Sequence, residues 1–259
     1  LPATSAASAP VMLVTIDGAI GPATADHVHR ALALAARQQA RLVVLQIDTP
    51  GGLDASMRGI IRDILASPVP VASFVGPSGA RAASAGTYIL YASHVAAMSP
   101  ASNLGAATPV AIGMPGTGGA PPEVPVPKAS APASGAPAAE PHGDTMSAKR
   151  MSDAAAFIRS LAQLRGRNAD WAEKAVRESV SLSANEALQL KVIDVVARDV
   201  PDLLRQLDGR ELKLASGTLR LNTADASVTP FDADWRSRLL AVIADPSLAL
   251  ILMMIGIYG

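Results

Sequence analysis

The chain has 259 residues, with 22 basic and 22 acidic side chains, and 49% of its residues are hydrophobic. That content excludes a disordered chain and allows a sizeable core, built from Ala, Val, Leu and Ile because aromatics are only 3%. Balanced charge without a basic block excludes a typical nucleic-acid binder, and the lack of cysteine excludes a cysteine nucleophile, thiolate metal sites and disulfides.

The opening LPATSAASAP is rich in small residues, and residues 1–10 are expected to be a flexible remnant left by signal-peptide cleavage or trimming. Val11–Ile16 reads as a strand and Ala23–Gln39 as a helix. Leu42–Ile47 is a continuous apolar run, as in a strand buried on both faces. Asp48-Thr-Pro-Gly-Gly52 breaks the chain. Leu53–Ala66 returns to helical spacing, with Met57, Ile60, Ile61 and Ile64 on one face. Val69–Val75 reads as a strand, Pro77–Arg81 as a loop, Ala83–Ala92 as a helix and His94–Met98 as a short strand. This alternation predicts βαβ crossovers and a largely parallel sheet.

The stretch 109–143 is dense in Pro, Gly, Ala and Ser and has no periodicity, so it is expected to be a mobile surface loop, with ordered chain resuming near Thr145. Helices are expected at Ser147–Leu164 and Ala169–Glu178. Ser183-Ala-Asn-Glu186 is a capping box opening a third. A strand at Val192–Val196, a helix at Val200–Leu207 and a hairpin over Glu211–Leu221 follow. Residues 223–246 read as a connector. The apolar end 247–259 is too short for the roughly 20 residues a bilayer span takes, and is expected to be the start of a truncated transmembrane helix.

Two segments point to nucleophilic catalysis. Gly51 and Gly52 follow a buried strand at its carboxyl end, where ligand sites of open α/β sheets lie, and glycines there let backbone N–H groups approach an oxyanion. The spaced glycines and Lys-Ser/Thr pair of a phosphate loop are missing. In Arg81-Ala-Ala-Ser84-Ala-Gly86-Thr, a serine among small residues stands at an expected helix start. The helix N-terminus favours developing negative charge, and the Ala85 N–H can join the Gly51–Gly52 backbone as an oxyanion donor. Ala82 replaces the first glycine of a Gly-x-Ser-x-Gly elbow, and an ordinary N-cap serine is the alternative.

The base is not settled by the residues alone. His27 and His29 lie on the first helix, His94 by a short strand and His142 in the expected loop, and none suits a Ser-His-Asp triad. Among the five lysines, Lys128, Lys149, Lys174, Lys191 and Lys213, Lys149 stands at the start of the long helix. A lysine serves as base only when its surroundings lower its pKa.

Asp48-Thr-Pro-Gly-Gly52, Ala82-Ala-Ser-Ala-Gly-Thr87 and the block Lys149–Asn168 resemble the NfeD proteins, as do Trp171–Glu178, Ala187–Asp194 and Asp245-Pro246. The resemblance spans nearly all of Val11–Gly259 outside the Pro-rich insert. It implies a membrane-bound serine protease with a Clp-protease/crotonase-like repeated ββα core over 11–222, interrupted by the insert at 109–145. It further implies a Ser84–Lys149 dyad, an oxyanion hole at Gly51, Gly52 and Ala85, and no cofactor or metal. The implied partner or substrate is a stomatin-like (band 7) membrane protein, cut in a hydrophobic segment. Expected with it are membrane attachment through the C-terminal region, a homodimer or higher homo-oligomer, no nucleic acid, and a bacterial inner-membrane location with the protease domain on the periplasmic side. A non-enzymatic scaffold for such a partner and an acyl-CoA hydratase-like enzyme are the alternatives. If Lys149 is not the base, His142 and His94 come next.

Overall fold

The computed structural model describes residues 9–109, 142–214 and 217–232. The expected remnant up to residue 8, the insert over 110–141, the connector from 233 and the apolar end 247–259 lie outside them. Among the described residues no helix is long and apolar enough to cross a membrane.

The centre is a parallel sheet of six strands. β1 (Val11–Asp17), β2 (Leu42–Asp48), β3 (Val71–Val75) and β5 (Val95–Met98) lie side by side, with β8 (Val195–Val196) beyond β5 and β11 (Val228–Pro230) beyond β1. All five pairings are parallel. The apolar run of β2 follows from its place in the middle: both of its faces are covered. Val43, Leu45 and Ile47 meet Val28, Ile60, Ile61 and Ile89 from the helical layer, whereas Leu42 and Val44 meet Leu203, Leu204 and Leu207 on the other face.

The helical layer comprises α1 (Pro22–Arg37), α2 (Asp54–Ala66), α3 (Ala85–Ala92), α4 (His142–Arg165), α5 (Ala169–Arg177) and α6 (Ala184–Gln189). The expected face of α2, Met57, Ile60, Ile61 and Ile64, is buried. The opposite face is covered by α7 (Val200–Leu207) and the antiparallel hairpin of β9 (Glu211–Leu214) and β10 (Gly217–Arg220).

Several elements differ from expectation. Arg81–Ala83, read as loop end and helix start, is a strand, β4. It pairs with β6 (Asn103–Gly105), which in turn pairs with β7 (Ser181–Ser183), giving a second, three-stranded sheet. Such three-residue strands carry too little periodicity to be seen locally. Helix α4 opens at His142, inside the stretch read as loop. The strand expected over 192–196 shrinks to Val195–Val196, because Val192 and Ile193 turn back to donate to the Ala187 carbonyl at 2.8 and 3.2 Å. Strand β11 was not anticipated; its Pro230 is tolerated because the strand is at the sheet edge.

Candidate active site

The site forms where the two sheets meet. After β2, the Thr49 N–H donates to the Arg81 carbonyl at 2.7 Å and the Thr49 carbonyl accepts from Ala83 at 3.1 Å, joining the end of β2 to β4. Thr49 is fully buried. Its Oγ1 accepts from the Gly51 N–H and donates to the Gly51 carbonyl, both at 3.1 Å. That carbonyl also accepts from Ile20 at 2.8 Å, and Leu53 donates to the Ile20 carbonyl at 2.9 Å. A Cβ on Gly52 would lie 2.1 Å from the Ile20 oxygen, so only glycine fits there. Gly51, with φ +121°, rests on Ser84: a Cβ on Gly51 would lie 2.7 Å from Ser84 Cβ and 3.2 Å from its Oγ.

Ser84 is the single residue between β4 and α3. Its backbone, φ 50° and ψ −116°, is a conformation that side-chain-bearing residues avoid. The surroundings impose it. The Ser84 N–H donates to the Gly105 carbonyl at 2.9 Å, and the Ser84 carbonyl accepts from Thr87 at 2.9 Å. Thr87 Oγ1 donates to the Ala82 and Gly105 carbonyls at 2.8 and 3.1 Å and accepts from the Gly105 N–H at 3.1 Å. A strained strand-to-helix serine is the geometry of a nucleophile elbow. Here Ala82 suffices at the first glycine position, while Gly86 is needed at the second, since a Cβ there would lie 2.6 Å from Thr49 Cγ2.

Ser84 is half-buried and its hydroxyl makes no hydrogen bond among the described residues, so Ser84 is not a side-chain N-cap. Among the described residues the N–H of Ala85, in the first turn of α3, has no backbone partner, and neither does that of Gly52; the Gly51 N–H is occupied by Thr49. Of the three residues expected to form an oxyanion hole, two therefore offer open donors and the third shapes the wall beside Ser84.

The opposite end of α3 is buried and its carbonyls need partners. Arg167 Nη1 donates to the carbonyls of Leu90, Tyr91 and Ser93 at 3.2, 3.0 and 3.0 Å, Arg165 Nε donates to that of Ala92 at 2.8 Å, and Arg167 pairs with Asp194 at 2.7 Å. His94 sits at this end, away from Ser84. Its Nδ1 accepts from the Val71 N–H at 3.2 Å, and burial, then Arg165 and Arg167, lower its pKa to about 4. It is a neutral structural acceptor and not a base for Ser84. His27 and His29 lie on α1, with His29 paired to Asp63 at 3.1 Å. His142 is the first residue of α4.

Lys149 lies in the first third of α4, exposed and without a hydrogen bond among the described residues, and it is not bonded to Ser84. Helices α3 and α4 run in the same sense: Phe157 stacks on Tyr88 with ring centroids 6.0 Å apart, and further along Arg165 reaches Ala92. Ser84 and Lys149 thus belong to the same end of the helix pair. Burial, then Asp54, push the Tyr88 phenol above its usual pKa, and its hydroxyl donates to the Ala107 carbonyl at 3.3 Å. Thr49, Thr87 and Gly105 were missed as site-builders. Thr49 and Thr87 stand inside the two motifs, but nothing local marks Gly105.

A parallel sheet with a small second sheet, joined at a strained serine turn facing a glycine pair, defines a Clp-protease-like α/β domain. The family model for the N-terminal domain of NfeD1b matches residues 10–120. The membrane-bound protease PH1510 of Pyrococcus horikoshii is 34% identical over 254 residues, which is 96% of this chain and 52% of that protein. The chain therefore spans about half the length of this curated relative. Among solved structures, a mutant of the 1510-N membrane-bound stomatin-specific protease with lysine changed to alanine, in complex with a substrate peptide, matches with a TM-score of 0.76 and 33% identity over 92% of this chain and 98% of that one. A serine-to-alanine mutant of the same protease matches with a TM-score of 0.73 and 33% identity over 88% of this chain and all of that one. The chain belongs to the same family as that 1510-N protease domain, which it covers almost whole, and the NfeD1b N-terminal model matches the first part of it.

Proposed function

We propose that this chain is a serine endopeptidase in which Ser84 is the nucleophile and Lys149 the general base. Lys149, as an unprotonated amine, takes the Ser84 Oγ proton while Oγ bonds to the scissile carbonyl carbon. The carbonyl oxygen becomes an oxyanion held by the Gly52 and Ala85 N–H groups, with Gly51 pressing the serine into place. Collapse expels the amine, which takes the proton back from Lys149. Water, deprotonated by the same lysine, then releases the acyl group and frees Oγ.

The observation that carries this reading is Ser84: its hydroxyl is unbonded among the described residues, it sits on a strained turn against Gly51, and the next residue, Ala85, has an open backbone N–H. The names of the relatives add weight, since the mutants studied in that protease change one serine and one lysine. By the same likeness the substrate is a hydrophobic segment of a stomatin-like membrane partner, and the C-terminal region holds the domain at the membrane. A homo-oligomer on the periplasmic face of a bacterial inner membrane is the matching arrangement. The test is a peptide library scored by mass spectrometry with the parent chain and Ser84→Ala. Cleavage after apolar residues by the parent alone supports the proposal. A stomatin-like protein bound equally by both and cut by neither would favour a scaffold.

A further inference from the structure

Arg58 occupies a position that joins the three elements of the candidate site. It lies on α2, the helix that begins two residues after Gly52. Its Nε donates to both carboxylate oxygens of Asp54 at 3.0 and 3.2 Å, and its Nη2 pairs with Asp153 of α4. Its guanidinium carbon stands 4.4 Å from the centroid of the Phe157 ring, also on α4. Phe157 stacks on Tyr88 of α3, one helical turn beyond Ser84. One planar cation thus ties the helix after the glycine turn to the helix of Lys149, and through Phe157 to the helix of Ser84.

The burial of α4 gives this tie its significance. From Thr145 to Arg150 every residue is exposed, Met151 is only partly buried against the core, and full burial begins at Ala154. Lys149 therefore projects on turns that the core holds only through Met151. Its place relative to Ser84 is set by what fixes α4 at Asp153 and Phe157, and Asp153 is one turn from Lys149. An exposed ion pair adds little to stability, but an ion pair and a ring contact on one flat guanidinium constrain direction, which a lysine ammonium at position 58 could not reproduce.

We propose that Arg58 is a positioning residue that sets Lys149 against Ser84 by clamping α4 at Asp153 and Phe157. The proposal rests on the Ser84–Lys149 reading. It is tested by the rate at which a fluorophosphonate acylates Ser84, measured for the parent, Arg58→Met, Asp153→Asn, Lys149→Ala and the double variants with Lys149→Ala. Circular dichroism and urea midpoints check folding, and the mild, exposed Asp153→Asn change guards against a misfolded Arg58→Met. Misplacing a catalytic group by about 1 Å costs roughly 100-fold, so Arg58→Met should slow acylation about 10- to 100-fold, with Asp153→Asn changing it in the same direction. Arg58→Lys should recover only part of the rate. In peptide cleavage kcat should fall while KM stays within about twofold. In the Lys149→Ala background neither change should have any further effect. Equal losses in both backgrounds, or an Arg58→Met as fast as the parent beside a slow Lys149→Ala, would overturn the role of Arg58 alone. A Lys149→Ala as fast as the parent would overturn the dyad, and the Arg58 proposal with it.

Discussion

Gly51 and Ser84 are in such close contact that a methyl group on the glycine would lie 2.7 Å from the serine Cβ. The residues are far apart in sequence, and both have an unusual backbone: Gly51 at φ +121° and Ser84 at φ 50°. Gly51→Ala combines a clash with a disfavoured dihedral. It should destabilise the domain by about 1–3 kcal/mol and abolish serine labelling even where the protein is still folded. Urea unfolding and fluorophosphonate labelling on the same sample check both parts.

Ser84→Ala removes a hydroxyl that makes no hydrogen bond among the described residues, so stability should change by no more than about 0.5 kcal/mol. Ser84→Gly should be more stable than Ser84→Ala, because glycine adopts the strained dihedrals freely. Both should be inactive. Thermal melts of the two variants decide the first claim: a less stable glycine variant would mean the turn is not strained.

The large elements were legible because burial shapes sequence on the scale of one element. Leu42–Ile47 reads as a central strand, and the face of α2 as a helix face, because both meet apolar layers along their whole length. Ser84 was legible as a candidate by its small neighbours and its place before a helix. Its strain was not, since the Gly105 carbonyl and the Thr87 hub create it through contacts outside the motif. Nor were β4, β6 and β7, whose three-residue lengths are held by pairing with one another and, through β4, with Thr49 at the end of β2. Arg58 looked like any helix-surface arginine, because Asp153 and Phe157 approach it from across the insert.

Arg167 is the main cap for the buried carboxyl end of α3, and its side chain is almost wholly inaccessible. Arg167→Met should cost about 3–5 kcal/mol, because three carbonyls lose a donor and Asp194 loses the closer of its two arginine partners, keeping only Arg210 at 3.5 Å. Arg167→Lys should recover little, since one ammonium cannot span these acceptors. Urea midpoints of the two variants give the answer, and a loss below about 1 kcal/mol would contradict it.

His94 makes stability depend on pH. Its folded pKa, about 4, lies below the ordinary value of 6.5. The unfolded chain therefore binds a proton that the folded chain refuses, and stability is full above pH 6.5 and lost as the pH falls toward 4. Allowing for its partial exposure, the loss is on the order of 2 kcal/mol. His94→Asn keeps an acceptor for the Val71 N–H and should flatten this limb. An unchanged limb in the asparagine variant would assign the acid sensitivity elsewhere.

The proposed chemistry needs one reactive serine served by one lysine. The most direct measurement is a peptide map of the parent chain after brief treatment with a fluorophosphonate, beside Lys149→Ala and Lys149→Arg treated identically. A single adduct, on Ser84, is expected in the parent, with slow or absent labelling in both variants, since alanine has no amine and arginine stays protonated. An adduct on another serine, or Ser84 labelled as fast without Lys149 as with it, would contradict the central claim.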